Sequence, residues 1–345
     1  MNPSDYGAVL DLGGALYLPA IEAPSLQGNP LGDPSKRFVP VYTPPGYDPQ
    51  GSKRYPVLYC LHGYTAGAAV MIAASPWNLN VIQRADRLMR EKRMPDAIVV
   101  IVDGWTRFGG SQYVNSIHNG NYANLVVDDV IPFVDANFRT IATEGGRAVF
   151  GKSSGGFGSF HMVFEYPGTF AAFASHSGDA YFPYCYTMEF QAAQRTLEAF
   201  ASARAFVEAF ERTNKPPHAY FATMNEIGMT AAYSPARAEA FALDFPFDLK
   251  TAELRADVFA RWLRYDPVER VSPEAAKLAR LRLAYVDCGI KDEYSLAAGA
   301  RIFAQRCRDH GIGVRHEEFD DDHRNVGYRY DISLPALAEA VDRAG

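Results

Sequence analysis

Short, continuous apolar runs alternate with amphipathic stretches along most of this chain, and that alternation limits what it can fold into more than any other feature. The runs Phe38–Tyr42, Pro56–Leu61, Ala97–Asp103, Arg147–Gly151, Ala171–Ser175, Leu281–Asp287 and Val314–Phe319 have the length of strands. Most lack the in-out alternation of a half-exposed strand, as strands covered on both faces do. Between them, Leu79, Ile82, Ala85, Leu88 and Met89 form one helical stripe, and Val126, Val130, Phe133, Val134 and Phe138 form another. Strand and helix in turn predict an α/β fold, a mostly parallel central sheet with helices on both faces. The pattern breaks once, from about Ala180 to Pro273, where helical stretches such as Met188–Arg212 and Thr251–Tyr265 replace strands. The expected organisation is a core of residues 1–179 and 274–345 with a helical cap or lid inserted at 180–273. Such an insertion lies over the C-terminal edge of the sheet, where open α/β sheets bind ligands.

At 345 residues and 48% hydrophobic composition, the chain can bury a full core. Its 34 Lys and Arg against 40 Asp and Glu give a net charge of −6, the wrong sign for a surface that neutralises nucleic-acid phosphates. No nucleic-acid partner is expected. Apolar runs such as Ala97–Val102 are far shorter than the roughly 20 residues a membrane helix needs, so no membrane association is expected. The opening Met-Asn-Pro-Ser-Asp-Tyr has no cationic segment ahead of an apolar one, which predicts a cytoplasmic protein. Cys60, Cys185, Cys288 and Cys307 are widely separated and read as reduced, structural thiols, with no metal site. No repeat and no low-complexity tract interrupts the chain.

The residues that carry chemistry follow the run Arg147–Phe150. Gly151-Lys152-Ser153-Ser154-Gly155-Gly156 leads into the helix-like Phe157–Phe164, which is G-x-S-x-G between a strand and a helix. A serine on such a tight turn exposes its hydroxyl, and the glycines let strand and helix approach without Cβ clashes. Gly146 to Ser153 also fits the phosphate-loop pattern G-x-x-x-x-G-K-[ST], but that geometry needs a loop where Ala148-Val149-Phe150 reads as strand. The serine-hydrolase reading is therefore preferred. Upstream, the run Pro56–Leu61 ends in His62-Gly63-Tyr64. A tetrahedral intermediate needs backbone N–H donors from the residue after the nucleophile and from the loop after an early strand, which makes Ser154 and Tyr64 the expected oxyanion hole.

Together with Val41-Tyr42-Thr43-Pro44-Pro45-Gly46-Tyr47 and Gly109-Gly110-Ser111-Gln112-Tyr113-Val114-Asn115-Ser116, these segments resemble one esterase branch of the α/β-hydrolases. That branch includes esterase D (S-formylglutathione hydrolase), feruloyl esterases, enterochelin esterases and the antigen 85 acyltransferases. The resemblance spans roughly Phe38–Gly178 and Leu281 to the C-terminus. It implies an α/β-hydrolase fold, a small-molecule ester substrate, cleavage or acyl transfer without a cofactor, and a triad in the order nucleophile, acid, base. His323, just past the last expected strand, is where the family places its base. Gly289-Ile290-Lys291-Asp292 matches its G-x-x-D, which makes Asp292 the acid. Asp179 is a topologically possible substitute, and Glu293 is expected to point toward the start of the following helix. Two departures stand out: Lys152 occupies a position where His or Tyr is common, and the inserted stretch is longer than in compact members. The turn-rich aromatic cluster Tyr181-Phe182-Pro183-Tyr184-Cys185-Tyr186 opens the insertion, so Tyr181, Tyr184 and Tyr186 are expected to line the substrate site and favour apolar or aryl esters. An acyltransferase of the same family, and an α/β-hydrolase-like protein that binds a ligand without turnover, are the alternatives.

Overall fold

The computed structural model describes residues 1–342. Its main sheet has eight strands: β1 (Ala15–Tyr17), β2 (Val41–Thr43), β3 (Val57–Leu61), β4 (Ile98–Val102), β5 (Arg147–Lys152), β6 (Ala172–His176), β7 (Leu283–Gly289) and β8 (Arg315–Phe319). They lie side by side in the order β1-β2-β4-β3-β5-β6-β7-β8. β2 runs antiparallel to both β1 and β4, and every other neighbour pair is parallel. The crossover reversal leaves β5 near the middle of the sheet, with its C-terminal end opening onto the loops that follow β3 and β6.

Successive residues of a strand point to opposite faces, and here both faces are covered. Leu58, Cys60, Val99, Ile101, Ala148 and Phe150 pack against α1 (Val81–Arg90) and the C-terminal helix α9 (Tyr330–Val341). Their neighbours Val57, Tyr59, Ile98, Val100 and Val149 pack on the other side with α2 (Ser154–Glu165) and α8 (Leu296–Asp309). This is the α/β-hydrolase architecture that the resemblance implies.

The strand expected at Phe38–Tyr42 is two strands. Lys36–Phe38 pairs with Ala20–Glu22 in a separate two-stranded sheet, and β2 joins the main sheet after Pro40. Proline has no N–H to give a ladder, so the chain changes sheets there. Within the inserted stretch, the helical run expected at Met188–Arg212 is likewise two helices, α3 (Thr187–Glu198) and α4 (Ala203–Arg212). The Ser202 hydroxyl accepts from Ala205 N at 3.2 Å and so starts a new helix. Next come α5 (His218–Tyr233), α6 (Ala256–Leu263) and α7 (Pro267–Ala279). α5 was not singled out in the sequence because it is apolar almost all round, with Met224 and Ile227 through Ala232 buried, and so shows no one-sided stripe. α7 crosses the boundary expected at residue 273, kinking at Glu274 just after Pro273, and packs on α2 and α8 of the core. Asp266 caps α7 by accepting from Val268 N at 3.0 Å, and it also accepts from Tyr181 N at 2.9 Å and Phe182 N at 2.6 Å. One carboxylate thus ties the start of the insertion to its end.

A polar network fastens α9 to the sheet. His176 bridges the Asp287 carboxylate at 2.7 Å and the Ser333 hydroxyl at 2.8 Å, and Arg329 donates to Asp287 at 2.8 Å and to Glu317 at 2.5 Å. This is a Ser–His–Asp chain in geometry, but Ser333, His176 and Asp287 are 0%, 1% and 0% exposed. No substrate reaches it, and it serves packing.

Candidate active site

β5 ends at Lys152, and Ser153 turns the chain straight into α2. The serine adopts φ 58° and ψ −127°, a conformation L-residues avoid, and the turn is tight because strand and helix nearly touch. A Cβ on Gly155 would fall on the Leu61 carbonyl oxygen, so only glycine lets α2 approach β3. Ala148, Val149 and Phe150 are strand, and Glu144–Gly146 is a helical turn before it, which removes the phosphate-loop alternative.

His323 sits on the loop after β8, and its ring bridges two groups. Nδ1 lies 2.7 Å from Asp292 Oδ2 and Nε2 lies 3.1 Å from Ser153 Oγ. A carboxylate only accepts, so Nδ1 carries the proton, and Nε2 is left to accept from the serine hydroxyl. The Asp292 side chain is wholly buried and follows β7 in a turn, where Oδ1 accepts from Tyr294 N at 2.9 Å. Burial alone would raise its pKa. The hydrogen bond and charge of His323, with the backbone amides of Tyr294 and Leu296, outweigh that and hold it below the ordinary carboxylate value. Glu293 does not turn to the helix start as expected, because α8 begins only at Leu296. It accepts from His323 N at 3.1 Å and pairs with Arg324 at 3.4 Å, so it holds the histidine loop from behind. Asp179 is not against the His323 ring. Its Oδ2 accepts from Gln112 Nε2 at 2.8 Å and from the Tyr186 hydroxyl at 2.8 Å.

The turn after β3 comes up beside the serine: a Cβ on Gly63 would lie 3.4 Å from Ser153 Cβ. Tyr64 and Ser154 therefore flank Ser153, and all three line a cavity of about 680 Å³ together with Lys152, Asp179, Tyr186 and His323. Of the three tyrosines expected in the substrate site, only Tyr186 lines it. Tyr184 is 52% exposed and stacks edge-on against Tyr181, and neither reaches the cavity, because the helical turn Phe182–Cys185 directs them elsewhere. Residues that sequence reasoning missed fill the wall: Val70, Met71, Leu79 and Phe221 on its apolar part, and Glu189, His218 and Asn225 on its polar part. Only Lys152 carried a sequence signal, its place beside the serine. Burial pushes its ammonium below the ordinary lysine value, against the pull of Asp292, Glu293 and Asp179. All four cysteines are free and buried. Among the described residues, no group of three or more His, Cys, Asp or Glu side chains is arranged to hold a metal, and no helix is long and apolar enough to cross a membrane.

Residues 34–334 match the model of the family described as "Putative esterase". The chain belongs to this esterase family. Esterase Rv1288 of Mycobacterium tuberculosis is 32% identical to it over 153 residues, covering 41% of this chain and 29% of the relative, so this esterase-family chain spans less than a third of that protein. Among solved structures, a ferulic acid esterase aligns over 95% of this chain and 99% of its own length at TM-score 0.61 and 18% identity. The S-formylglutathione hydrolase of Agrobacterium tumefaciens aligns over 96% of both chains at TM-score 0.58 and 17% identity. At these identities the structural likeness establishes a shared α/β-hydrolase fold.

Proposed function

We propose that the protein is a carboxylic ester hydrolase that works through an acyl-enzyme on Ser153. The observation that carries this reading is the unbroken chain from Ser153 Oγ through His323 to the buried Asp292, with contacts of 3.1 and 2.7 Å, at the wall of a cavity. His323 Nε2 takes the serine proton as Oγ attacks the ester carbonyl. Asp292, kept ionised by its low pKa, fixes the tautomer and stabilises the imidazolium that forms. The amides of Tyr64 and Ser154 receive the oxyanion, and Ser154 also brings the positive end of α2. His323 returns the proton to the departing alcohol, then activates water against the acyl-enzyme.

The stretch 180–273 acts as a cap that roofs the serine, since Tyr186, Glu189, Phe221 and Asn225 all come from it and line the cavity. With Val70, Met71 and Leu79 opposite, the apolar part of the wall suits an alkyl or aryl portion of the ester. The test is a panel of p-nitrophenyl, alkyl and thioester substrates read by initial rate, with and without an alcohol acceptor. Ser153→Ala should lower turnover by about 10⁴-fold or more. Residual activity above a tenth of wild type would contradict the reading, and acyl transfer outpacing release of the acid would make the enzyme an acyltransferase.

A further inference from the structure

The charges around this cavity do not balance. Arg84 pairs with Asp331 at 3.2 Å and Arg324 with Glu293 at 3.4 Å, which leaves Lys152, at the serine end, as the lining ammonium without an ion-pair partner among the described residues. Asp179 and Glu189 also line the cavity, and neither has a basic side chain within ion-pair distance among the described residues. One oxygen of each is held by an amide side chain: Asp179 Oδ2 by Gln112 Nε2 at 2.8 Å, and Glu189 Oε2 by Asn225 Nδ2 at 3.1 Å. The other oxygens, Asp179 Oδ1 and Glu189 Oε1, accept from no protein donor among the described residues, although Asp179 is only 8% exposed. Glu226, next to Asn225 on α5, is fully buried with neither oxygen partnered. Burial pushes the pKa of all three carboxyls up, and Glu189 raises that of Glu226 further. Buried and half-buried carboxyls short of partners lower their free energy when a cation arrives beside them. The same cavity holds the aromatic side chains Tyr186, Phe221 and Tyr294, which attract a desolvated ammonium.

We propose that the space between Asp179 and Glu189 binds an ammonium group carried by the substrate, so that the preferred ester has a cationic portion. This rests on the esterase reading of Ser153. Asp179 and Glu189 supply the counter-charge, and the aromatic side chains replace the ammonium's water. His218 lies on the same wall.

Two measurements test this. In the first, kcat/KM is compared for butyrylcholine and its uncharged carbon isostere 3,3-dimethylbutyl butyrate. The wild type should prefer the charged ester by about tenfold or more. Glu189→Gln should bring that ratio toward one, and the wild-type ratio stands on its own if the variant does not fold. In the second, calorimetry follows phenyltrimethylammonium, which needs no turnover, and Glu189→Gln should weaken its binding by about tenfold. Equal hydrolysis of the two esters, or binding absent or indifferent to Glu189, would overturn the inference. Binding that depends on Glu189 without hydrolysis of either ester would leave the cation site standing but overturn its assignment to the substrate, while a preparation that also leaves every p-nitrophenyl and thioester substrate intact would sink the esterase reading instead.

Discussion

Ser153 keeps its unfavourable backbone conformation because Gly63, Gly151 and Gly155 carry no side chain where β3, β5 and α2 converge. A methyl group at Gly155 has nowhere to go but the Leu61 carbonyl, which belongs to the backbone of a central strand and cannot swing aside. Gly155→Ala should therefore destabilise the fold by about 3 kcal/mol, read from urea unfolding, and lower activity even in the fraction that folds. A variant of wild-type stability would mean that the turn is looser than described. The acid is equally specific. Asp292→Asn should lower kcat by about 10⁴-fold, because the amide can donate to the ring and so favours the wrong tautomer. Glu293→Gln, which keeps an oxygen for His323 N, should lose less than about tenfold. The reverse order would move the acid. The proposed triad could be nominated from the sequence, Ser153 from G-x-S-x-G between strand and helix and Asp292 and His323 from the positions that the family resemblance implies. The role of Glu293 was not, since it depends on how the loop before His323 folds back over the end of β7, a contact across 30 residues.

At the level of elements, the network around Arg329 matters most. Arg329 follows the His323 loop, and its guanidinium joins that loop and α9 to β7 and β8 through Asp287 and Glu317. Asp287 is fully buried, so Arg329→Met should cost about 3 kcal/mol at pH 7 by leaving that charge without its guanidinium. Burial alone would raise the pKa of Asp287, but His176 and Arg329 together hold it below its ordinary 3.8. A carboxyl with a depressed folded pKa stabilises fully above its unfolded value and loses that contribution as pH falls through the folded one. The penalty of Arg329→Met should thus be largest near neutral pH and shrink well below pH 3.8, which chemical unfolding at both pH values would reveal. None of this was visible in the sequence, where no local pattern connects His176, Asp287 and Ser333. The central strands were legible because doubly covered strands are continuous apolar runs. β1 is three residues long and α5 is apolar almost all round, so neither leaves a periodic trace.

Across the whole molecule, the functional reading depends on the helices between β6 and β7 sharing one cavity with the serine. Phe221 comes from α5 and Val70 from the short helical turn Ala68–Met71 after β3, and both line it. Phe221→Ala should raise KM for p-nitrophenyl octanoate by about tenfold while changing that for the acetate little, since an aromatic on the cavity wall contributes in proportion to the apolar ligand surface it covers. Tyr184→Ala should affect both alike, because Tyr184 lies outside the cavity wall. Equal effects of Phe221→Ala on the two esters would mean that the insertion serves stability and not selection. That helices replace strands after Ala180 was plain from the loss of strand character, but which of their aromatics line the cavity was not, because that follows from how those helices pack. The central claim, that Ser153 is a nucleophile activated by His323, is tested most directly by intact-protein mass after reaction with an alkyl fluorophosphonate. A single adduct that maps to Ser153, lost in Ser153→Ala and slowed strongly in His323→Ala, is the predicted result. An unlabelled wild type, or a label that survives in Ser153→Ala, would contradict it.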